Sequence, residues 1–175
     1  MMTKLYDKAK KIKVIVTDVD GVLTDGSVFI NEDKIEPFGK FNIYDGMAIE
    51  IAHGSKLKLI VISGRKSLAT EARCKKLGVD EVYTGVDNKA KKLAEIVLKL
   101  ELDSSELAYI GDDVIDLRAM AMVGFKIAPN NAVEVVKQRV DYITTKNGGE
   151  GVLREVVELI LKSQDRFDEY LNRYL

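Results

Sequence analysis

Cysteine, long apolar runs and net charge are all scarce in this sequence of 175 residues. The single cysteine, Cys74, cannot form an intramolecular disulfide, and such sparing use of cysteine is typical of a reducing compartment. No apolar run approaches the roughly 20 residues that span a bilayer. The charged amino-terminal segment also lacks the apolar stretch of a signal peptide. We therefore expect a cytoplasmic protein with no membrane partner.

The balance of charges argues against a nucleic-acid-binding protein. Lys and Arg together number 27 and Asp and Glu number 28, so there is no net positive field to attract phosphate backbones. A hydrophobic fraction of 46% with 31% charged residues is typical of a globular chain that can bury a core. Because there is no internal repeat and no Pro/Gly-rich linker, we expect a single domain over residues 1–175.

Short apolar runs alternate with stretches of helical periodicity along the chain. Buried strands are predicted at residues 12–18, 57–62, 79–83, 107–110, 124–128 and 142–144. Helices are predicted at residues 45–53, 66–77, 88–100, 113–122, 132–138 and 151–161, with 164–175 as an extension or a tail. Residues 27–30 and 34–41 flank a turn and predict a β-hairpin. The pattern predicts an α/β fold with a three-layer, Rossmann-like parallel sheet and an inserted β-hairpin.

Carboxylates follow two of the predicted strands. Asp18 and Asp20 follow the first strand, and Asp112, Asp113 and Asp116 follow the strand at 107–110. Ligands bind beyond the carboxyl ends of parallel strands, so we expect these acids to meet at one edge of the sheet. Such a density of negative charge is costly unless a cation is bound, and Mg²⁺ prefers oxygen ligands. Alternatively, Asp113 caps its helix and Asp116 only favours the positive helix end.

Ser63, Gly64 and Lys89 form a second group of residues at loops. Ser63 ends an apolar strand, and Gly64 lets backbone N–H groups approach a ligand closely. Lys89 stands near the start of a predicted helix, where anions are already favoured. Together they are suited to binding a phosphate group. The alternatives are an ordinary Ser-Gly turn and a surface lysine.

Four ordered segments resemble the motifs of the haloacid dehalogenase superfamily. They are DVDGVLTDG at 18–26, ISGR ending at Arg65, Lys89, and GDDxxD ending at Asp116. Four further segments resemble the 3-deoxy-D-manno-octulosonate 8-phosphate (KDO 8-phosphate) phosphatases within it. These are FNIYDGMAIE at 41–50, the ISGRK run, YTG before Lys89, and NGGEGVLREV at 147–156.

The resemblance implies a Mg²⁺-dependent phosphatase that hydrolyses KDO 8-phosphate, a lipopolysaccharide precursor, through an aspartyl-phosphate intermediate. Asp18 would be the nucleophile and Asp20 the general acid and base, with Ser63, Gly64 and Lys89 holding the phosphate. The metal ligands would be the Asp18 and Asp112 carboxylates and the main-chain carbonyl of Asp20. Asp113 and Asp116 would position the metal's waters or Lys89.

The resemblance also implies where the sugar acid binds. The sugar side would be lined by Asn42, Ile43, Tyr44, Asp45 and Gly46. Arg65 and Arg73 could grip the carboxylate of the substrate through bidentate contacts, or they could simply be exposed helix charges. Glu50 and Glu150 stand where the subfamily pattern has basic residues, which puts the octulosonate substrate in question.

The intervals between the motifs are too short to hold a folded cap domain, so we expect a capless enzyme. The resembled subfamily is also capless and closes its site by forming a homotetramer, so a tetramer with the hairpin at its interface is expected. Two other functions stay open. One is a phosphatase of another sugar-acid or small phosphate monoester, for example a nonulosonate 9-phosphate, and the more distant one is a non-catalytic receiver-type phospho-acceptor domain.

Overall fold

A six-stranded parallel sheet forms the centre of the protein, in a computed structural model that describes residues 2–32, 38–172 and 175. The strands are β1 (Val14–Thr17), β2 (Lys58–Ile62), β3 (Glu81–Tyr83), β4 (Leu107–Ile110), β5 (Phe125–Ala128) and β6 (Tyr142–Ile143). Their order is β3-β2-β1-β4-β5-β6, and every pairing is parallel. This is the doubly wound order in which the direction of winding reverses beside β1, between β1 and β4.

Helices cover both faces of the sheet. They are α1 (Met2–Ala9), α2 (Ile43–Gly54), α3 (Leu68–Leu77), α4 (Lys89–Leu100), α5 (Leu117–Met120), α6 (Glu134–Lys137), α7 (Val152–Ser163) and α8 (Phe167–Leu171). One core contains buried residues of α2, α7 and α8, and the other contains residues of α4, α5 and α6. The predicted three-layer parallel architecture is confirmed.

The strands supply both cores because their side chains alternate between the two faces. In β1, Ile15 packs into the core of α2 and α7, whereas Val14 and Val16 pack into the core of α4. Both faces are apolar, which is why the central strands were recognisable as continuous apolar runs. This two-sided burial holds the carboxyl ends of β1, β2 and β4 side by side.

The predicted β-hairpin is not formed where the structure describes it. Residues 27–32 and 38–41 are outside any strand, and part of the predicted second arm, 33–37, lies outside the described residues. The Phe29 and Phe38 rings still pack with their centroids 5.0 Å apart. A two-stranded ribbon that is not part of a larger sheet is marginally stable, which explains an extended loop in place of a ladder.

Two helical predictions also differ from the structure, and one helix is additional. The helix expected at 113–122 is a 3₁₀ turn, Val114–Asp116, followed by the short α5. The carboxyl-terminal stretch is a separate short helix, α8, because Asp165 adopts a positive φ of 57° after α7. Helix α1 was not predicted. Between β1 and α2, the described residues contain no further helix or strand, as expected of a capless chain.

Candidate active site

The candidate site lies at the carboxyl ends of β2, β1 and β4, which are neighbours in the sheet. Asp18 directly follows β1, Ser63 follows β2, and Gly111 and Asp112 follow β4. Lys89 is the first residue of α4, whose N-cap is Asn88. Residues that are far apart in sequence therefore meet at the point where the strand order reverses.

A buried lysine bridges two buried carboxylates in this site. The Nζ of Lys89 lies 2.6 Å from Oδ2 of Asp18 and 2.8 Å from Oδ1 of Asp116. The three side chains are at most 5% exposed. Asp116 is fixed further, because the Tyr109 hydroxyl donates to its Oδ1 at 2.8 Å. One lysine charge thus partly compensates two carboxylates that are both removed from water.

Asp112 adds a third carboxylate. Oxygen atoms of Asp18, Asp112 and Asp116 all lie within 4.8 Å of one another. Two glycines make this approach possible. A Cβ at Gly21, whose φ is +82°, would lie 2.0 Å from Oδ2 of Asp112, and a Cβ at Gly111 would lie 2.6 Å from the Asp116 side chain. The backbone therefore leaves space for this cluster at the two strand exits.

The pKa values of these groups are shifted first by burial and then by neighbouring charges. Burial, and then the charge of Asp116, raise the pKa of Asp18 to about 7 although Lys89 opposes the shift. Burial also raises the pKa of Asp112 to about 6, with Asp116 and Asp113 contributing. Burial lowers the pKa of Lys89, but the charges of Asp18 and Asp116 outweigh burial and hold it above its ordinary value. Burial therefore disfavours the ionised forms of Asp18 and Asp112, and Lys89 offsets this effect only in part.

The cluster fits a hard divalent cation by its donor set. Carboxylate oxygens are the ligands that Mg²⁺ prefers, and three carboxylates lie close together here beside Lys89. Asp116 was expected to lie behind the metal ligands, and it does belong to this cluster. However, its carboxylate already accepts hydrogen bonds from Lys89, Tyr109 and the Asp112 N–H. These contacts favour a role in holding Lys89 over direct ligation.

Asp20 lies beside this cluster and is paired with Arg65. Arg65 donates from Nε to Oδ2 at 3.2 Å and from a terminal nitrogen to Oδ1 at 2.5 Å, which is a bidentate contact. Arg65 was expected to grip the carboxylate of the substrate, and in this structure its guanidinium contacts Asp20. Both side chains are one-third exposed, so the pair remains open to solvent.

Ser63 and Gly64 lie in the loop between β2 and α3. The Ser63 hydroxyl donates to the carbonyl of Arg65 at 3.1 Å and accepts from its N–H at 3.2 Å. A Cβ at Gly64 would lie 3.9 Å from Cε of Lys89, so this turn approaches the lysine. Asp113 caps the 3₁₀ turn, because its side chain accepts from the Val114 N–H at 2.6 Å. The alternative reading of Asp113 as a cap therefore describes its contact in the structure.

The five residues expected on the sugar side are in different environments. Ile43 and Tyr44 are exposed at the start of α2. Asn42 is the N-cap of α2 and also donates from Nδ2 to the carbonyl of Gly149 at 2.9 Å. Asp45, which was also expected on the sugar side, is buried, and its Oδ1 accepts from the Arg154 N–H at 3.2 Å. A polar residue in a helical first turn looks exposed in sequence, and only the packing of α7 reveals its burial.

Gly46 and Arg73 are close to each other but line a different pocket from Arg65. A Cβ at Gly46 would lie 2.8 Å from a terminal nitrogen of Arg73, so the guanidinium packs directly on the α2 backbone. Arg73 lines a small pocket with Asp45 and Cys74, whereas Arg65 lines another pocket with Asp20. The two arginines therefore line separate pockets in this structure.

Two contributors to the site were missed by sequence reasoning. Tyr109 lies inside β4, and its sequence position is that of an ordinary core residue. Its closeness in sequence to Asp112 was the available signal for a polar contact. Gly148 and Gly149 pack on the loop after β1: a Cβ at Gly148 would lie 2.0 Å from the carbonyl oxygen of Gly21. The Gly-Gly pair in the 147–156 segment was the available signal.

No helix in the described ranges 2–32 and 38–172 is both long and apolar enough to cross a membrane.

Comparison with known proteins identifies similar chains. A family model described as haloacid dehalogenase-like hydrolase matches residues 79–156. A 3-deoxy-D-manno-octulosonate 8-phosphate phosphatase of Salmonella typhi is 37% identical over 167 residues, which cover 95% of this chain and 88% of that protein.

Solved structures give the same relationship. The phosphatase of this name from Moraxella catarrhalis, in complex with magnesium ion, phosphate ion and KDO, has a TM-score of 0.96 and 40% identity and covers 100% of both chains. A cobalt-bound deoxy-D-mannose-octulosonate 8-phosphate phosphatase from Haemophilus influenzae has a TM-score of 0.88 and 32% identity, covering 93% of this chain and 95% of that one.

Proposed function

We propose that this chain, which belongs to the 3-deoxy-D-manno-octulosonate 8-phosphate phosphatase family of haloacid dehalogenase-like hydrolases, hydrolyses KDO 8-phosphate to KDO and phosphate. The observation that carries the proposal is the convergence of Asp18, Asp112 and Asp116 within 4.8 Å, with Lys89 bridging two of them. This arrangement combines a carboxylate nucleophile, a candidate metal site and a phosphate-binding cation at the end of the sheet.

In the proposed reaction Asp18 and Asp20 act in sequence. The Asp18 carboxylate forms a bond to phosphorus while the bond from phosphorus to the sugar oxygen breaks, and Asp20 gives that oxygen a proton. Asp20 then takes a proton from the water that attacks phosphorus, which releases phosphate and restores Asp18. The contact of Arg65 with both Asp20 oxygens holds this carboxyl group in one orientation beside Asp18.

Lys89, Ser63 and Gly64 are assigned to the phosphoryl oxygens. Lys89 is buried and held between two carboxylates, so its ammonium is fixed in position before substrate arrives. Ser63 has its hydroxyl in a local turn with Arg65 and can redirect it, because a hydroxyl rotates to suit its partner.

Mg²⁺ would be held by the carboxylates of Asp18 and Asp112 and the main-chain carbonyl of Asp20, with Asp113 and Asp116 supporting the ligands and Lys89. When bound, the ion lowers the repulsion between the anionic nucleophile and the phosphoryl oxygens. Family members are described with a magnesium ion and with cobalt, which supports a divalent-metal site.

The substrate residues follow from the same assignment. Asn42, Ile43, Tyr44 and Gly46 are assigned to the sugar side, and Arg65 and Arg73 are the candidate partners of the substrate carboxylate. Glu50 and Glu150 differ from the expected basic residues, which is the specific observation favouring a second candidate substrate. That candidate is another sugar-acid phosphate, such as a nonulosonate 9-phosphate.

A homotetramer is also proposed, with the chain as one domain over residues 1–175. The segment after β1 exposes large apolar side chains, namely Val28, Phe29, Ile30 and Phe38. Apolar side chains clustered at the surface mark interaction sites, and a site without a cap needs a cover to exclude water. Light scattering of Phe29→Ser against the wild-type chain tests this assembly, and a tetrameric variant would contradict the interface.

A cytoplasmic location is proposed as well. It is supported by Cys74, the single cysteine, which is free and buried.

The direct test of function is phosphate release from KDO 8-phosphate with Mg²⁺, followed by the same assay after chelation. We expect Mg²⁺-dependent turnover that is abolished in Asp18→Asn and retained in Asp141→Asn, an aspartate remote from the site. A panel with nonulosonate and glycolate phosphates separates the two substrate candidates. Equal rates across the panel would contradict a specific octulosonate phosphatase, and full activity of Asp18→Asn would contradict the mechanism.

A receiver domain is disfavoured by the sheet. Receiver-type folds have the strand order 2-1-3-4-5, whereas β1 here lies between β2 and β4, and the residue after β2 is Ser63.

A further inference from the structure

Asp45 connects the first turn of α2 to the start of α7. Its Oδ1 accepts from the Arg154 N–H at 3.2 Å, and the N–H groups of Leu153 and Gly151 also lower its pKa. The N-cap of α7 is Gly151, which has no side chain to cap the helix. Asp45 therefore satisfies the free N–H groups of a helix that is more than 100 residues away in sequence.

The burial of Asp45 has an energetic cost that its capping contacts do not fully offset. The residue is 4% exposed, and its Oδ2 has no hydrogen-bond partner among the described residues. Burial raises its pKa to about 6 despite the opposing N–H groups. A buried carboxyl with one unsatisfied oxygen is unfavourable for the fold, so stability alone does not account for Asp45 at this position.

Asn42 holds the same segment from a second point. It donates from Nδ2 to the carbonyl of Gly149 at 2.9 Å while its own Oδ1 accepts from the Tyr44 N–H at 2.8 Å. Asn42 and Asp45 thus fix the two ends of the stretch from Gly149 to Arg154. The first turn of α2 acts as an anchor for the glycine-rich segment that precedes α7.

That glycine-rich segment is in direct backbone contact with the loop after β1. The Gly149 N–H donates to the carbonyl of Val22 at 2.9 Å. A Cβ at Gly148 would lie 2.0 Å from the Gly21 carbonyl oxygen, and a Cβ at Gly149 would lie 2.7 Å from the Asp25 nitrogen. Gly21 in turn approaches Asp112 so closely that a Cβ would lie 2.0 Å from its Oδ2. A continuous series of close contacts therefore joins Asp45 to the acid cluster.

We propose that Asp45 is a positioning residue, which anchors the Gly148–Gly149 backbone against the loop at 21–25 and so fixes Asp112 and Asp20 for metal binding and proton transfer. The proposal rests on the proposed phosphatase function. It assigns Asp45 no contact with substrate, because the side chain is buried under α7.

Asp45→Asn tests this role, since the amide keeps the size and one acceptor oxygen, and Asp45→Ala is the stronger perturbation. Asp141→Asn is the control, because Asp141 also accepts a backbone N–H, from Lys126 at 2.9 Å, but at the β5–β6 edge. Hydrogen exchange is measured for residues 147–154 and 21–25, together with Mg²⁺ affinity by calorimetry and kcat and KM for KDO 8-phosphate.

The expected result in Asp45→Asn is faster exchange in both segments and a Mg²⁺ affinity weaker by on the order of tenfold. A kcat lowered to a similar extent with KM within about twofold is also expected. Faster exchange in 147–154 with unchanged exchange in 21–25 and unchanged Mg²⁺ affinity would overturn the proposal. So would a raised KM with kcat unchanged, because that pattern indicates a substrate contact.

The two hypotheses fail separately. If the wild-type chain does not hydrolyse KDO 8-phosphate, the proposed function is contradicted, but exchange and Mg²⁺ affinity still decide whether Asp45 positions the acid cluster. If the wild-type chain is active and Asp45→Asn equals it in all readouts, only the role of Asp45 is contradicted.

Discussion

Replacing Lys89 by methionine removes the cation that bridges Asp18 and Asp116. Lys89 is 4% exposed and lies 2.6 Å and 2.8 Å from these carboxylates, so the pairing takes place out of water. Removing one partner of a buried ion pair costs about 3–5 kcal/mol, because the remaining charge is left without compensation. Two carboxylates depend on this lysine, so we expect Lys89→Met to lose at least about 3 kcal/mol of unfolding free energy at pH 8 without divalent metal.

The unfolding free energy lost in Lys89→Met depends on pH. Asp18 has a raised pKa in the wild-type chain, mainly because of burial, and loss of Lys89 raises it further. A carboxyl whose folded pKa exceeds its unfolded value favours folding when protonated, and this stability is lost as pH rises toward the folded pKa. The deficit of Lys89→Met is therefore largest at pH 8 and shrinks toward pH 5, where the carboxylates take up protons.

Urea unfolding at pH 5 and pH 8 measures this deficit. Lys91→Met is the matched control, because Lys91 is on the same helix but exposed, and we expect a change within about 0.5 kcal/mol. A deficit in Lys89→Met below about 1 kcal/mol at pH 8, or one that grows at acid pH, would refute the reasoning that Lys89 balances buried negative charge.

Three further predictions concern other parts of the site. Gly21→Ala should weaken Mg²⁺ binding by about tenfold or more, because its Cβ would displace Asp112. Gly26→Ala is the control, because Gly26 also has a positive φ of +79° but a Cβ there would meet no atom nearer than 3.9 Å, so only backbone strain is expected. Equal Mg²⁺ affinities of the two variants would contradict this role of Gly21. Mg²⁺ should raise Tm more at pH 8 than at pH 5, because Asp18 with its pKa near 7 must lose its proton to bind metal, and a shift independent of pH would count against the site. Cys74, whose pKa burial raises to about 11, should react with a thiol reagent only after unfolding, and rapid labelling of the native chain would contradict its burial.

The central sheet was predictable from sequence, and the surface segments were less so. β1, β2 and β4 have both faces buried, so continuous apolar runs mark them regardless of their surroundings. Helix α1 has only eight residues, too few for a stable isolated helix, and its packing on α7 could not be inferred from its own sequence. The hairpin prediction rested on two short runs that flank a turn, and these do not supply the further neighbouring strand that a stable ladder requires.

The acid cluster was predictable for the same reason, because strand ends determine where Asp18 and Asp112 lie. The partners of the arginines were not predictable. Arg65 lies between an apolar strand and a helix in the sequence. That position is the same whether its guanidinium faces a substrate or contacts Asp20. Asp45 shows the same difficulty, because its burial depends on where α7 begins in three dimensions.

Trapping the covalent intermediate tests the central claim most directly. The enzyme is mixed with Mg²⁺ and a saturating amount of KDO 8-phosphate, quenched in acid during turnover, and digested for mass spectrometry. We predict phosphate on the peptide that contains Asp18, sensitive to hydroxylamine as an acyl phosphate is, and no such label in Asp18→Asn. Continued turnover with phosphate on a different residue, or with no label on the Asp18 peptide under any quench time, would contradict the account.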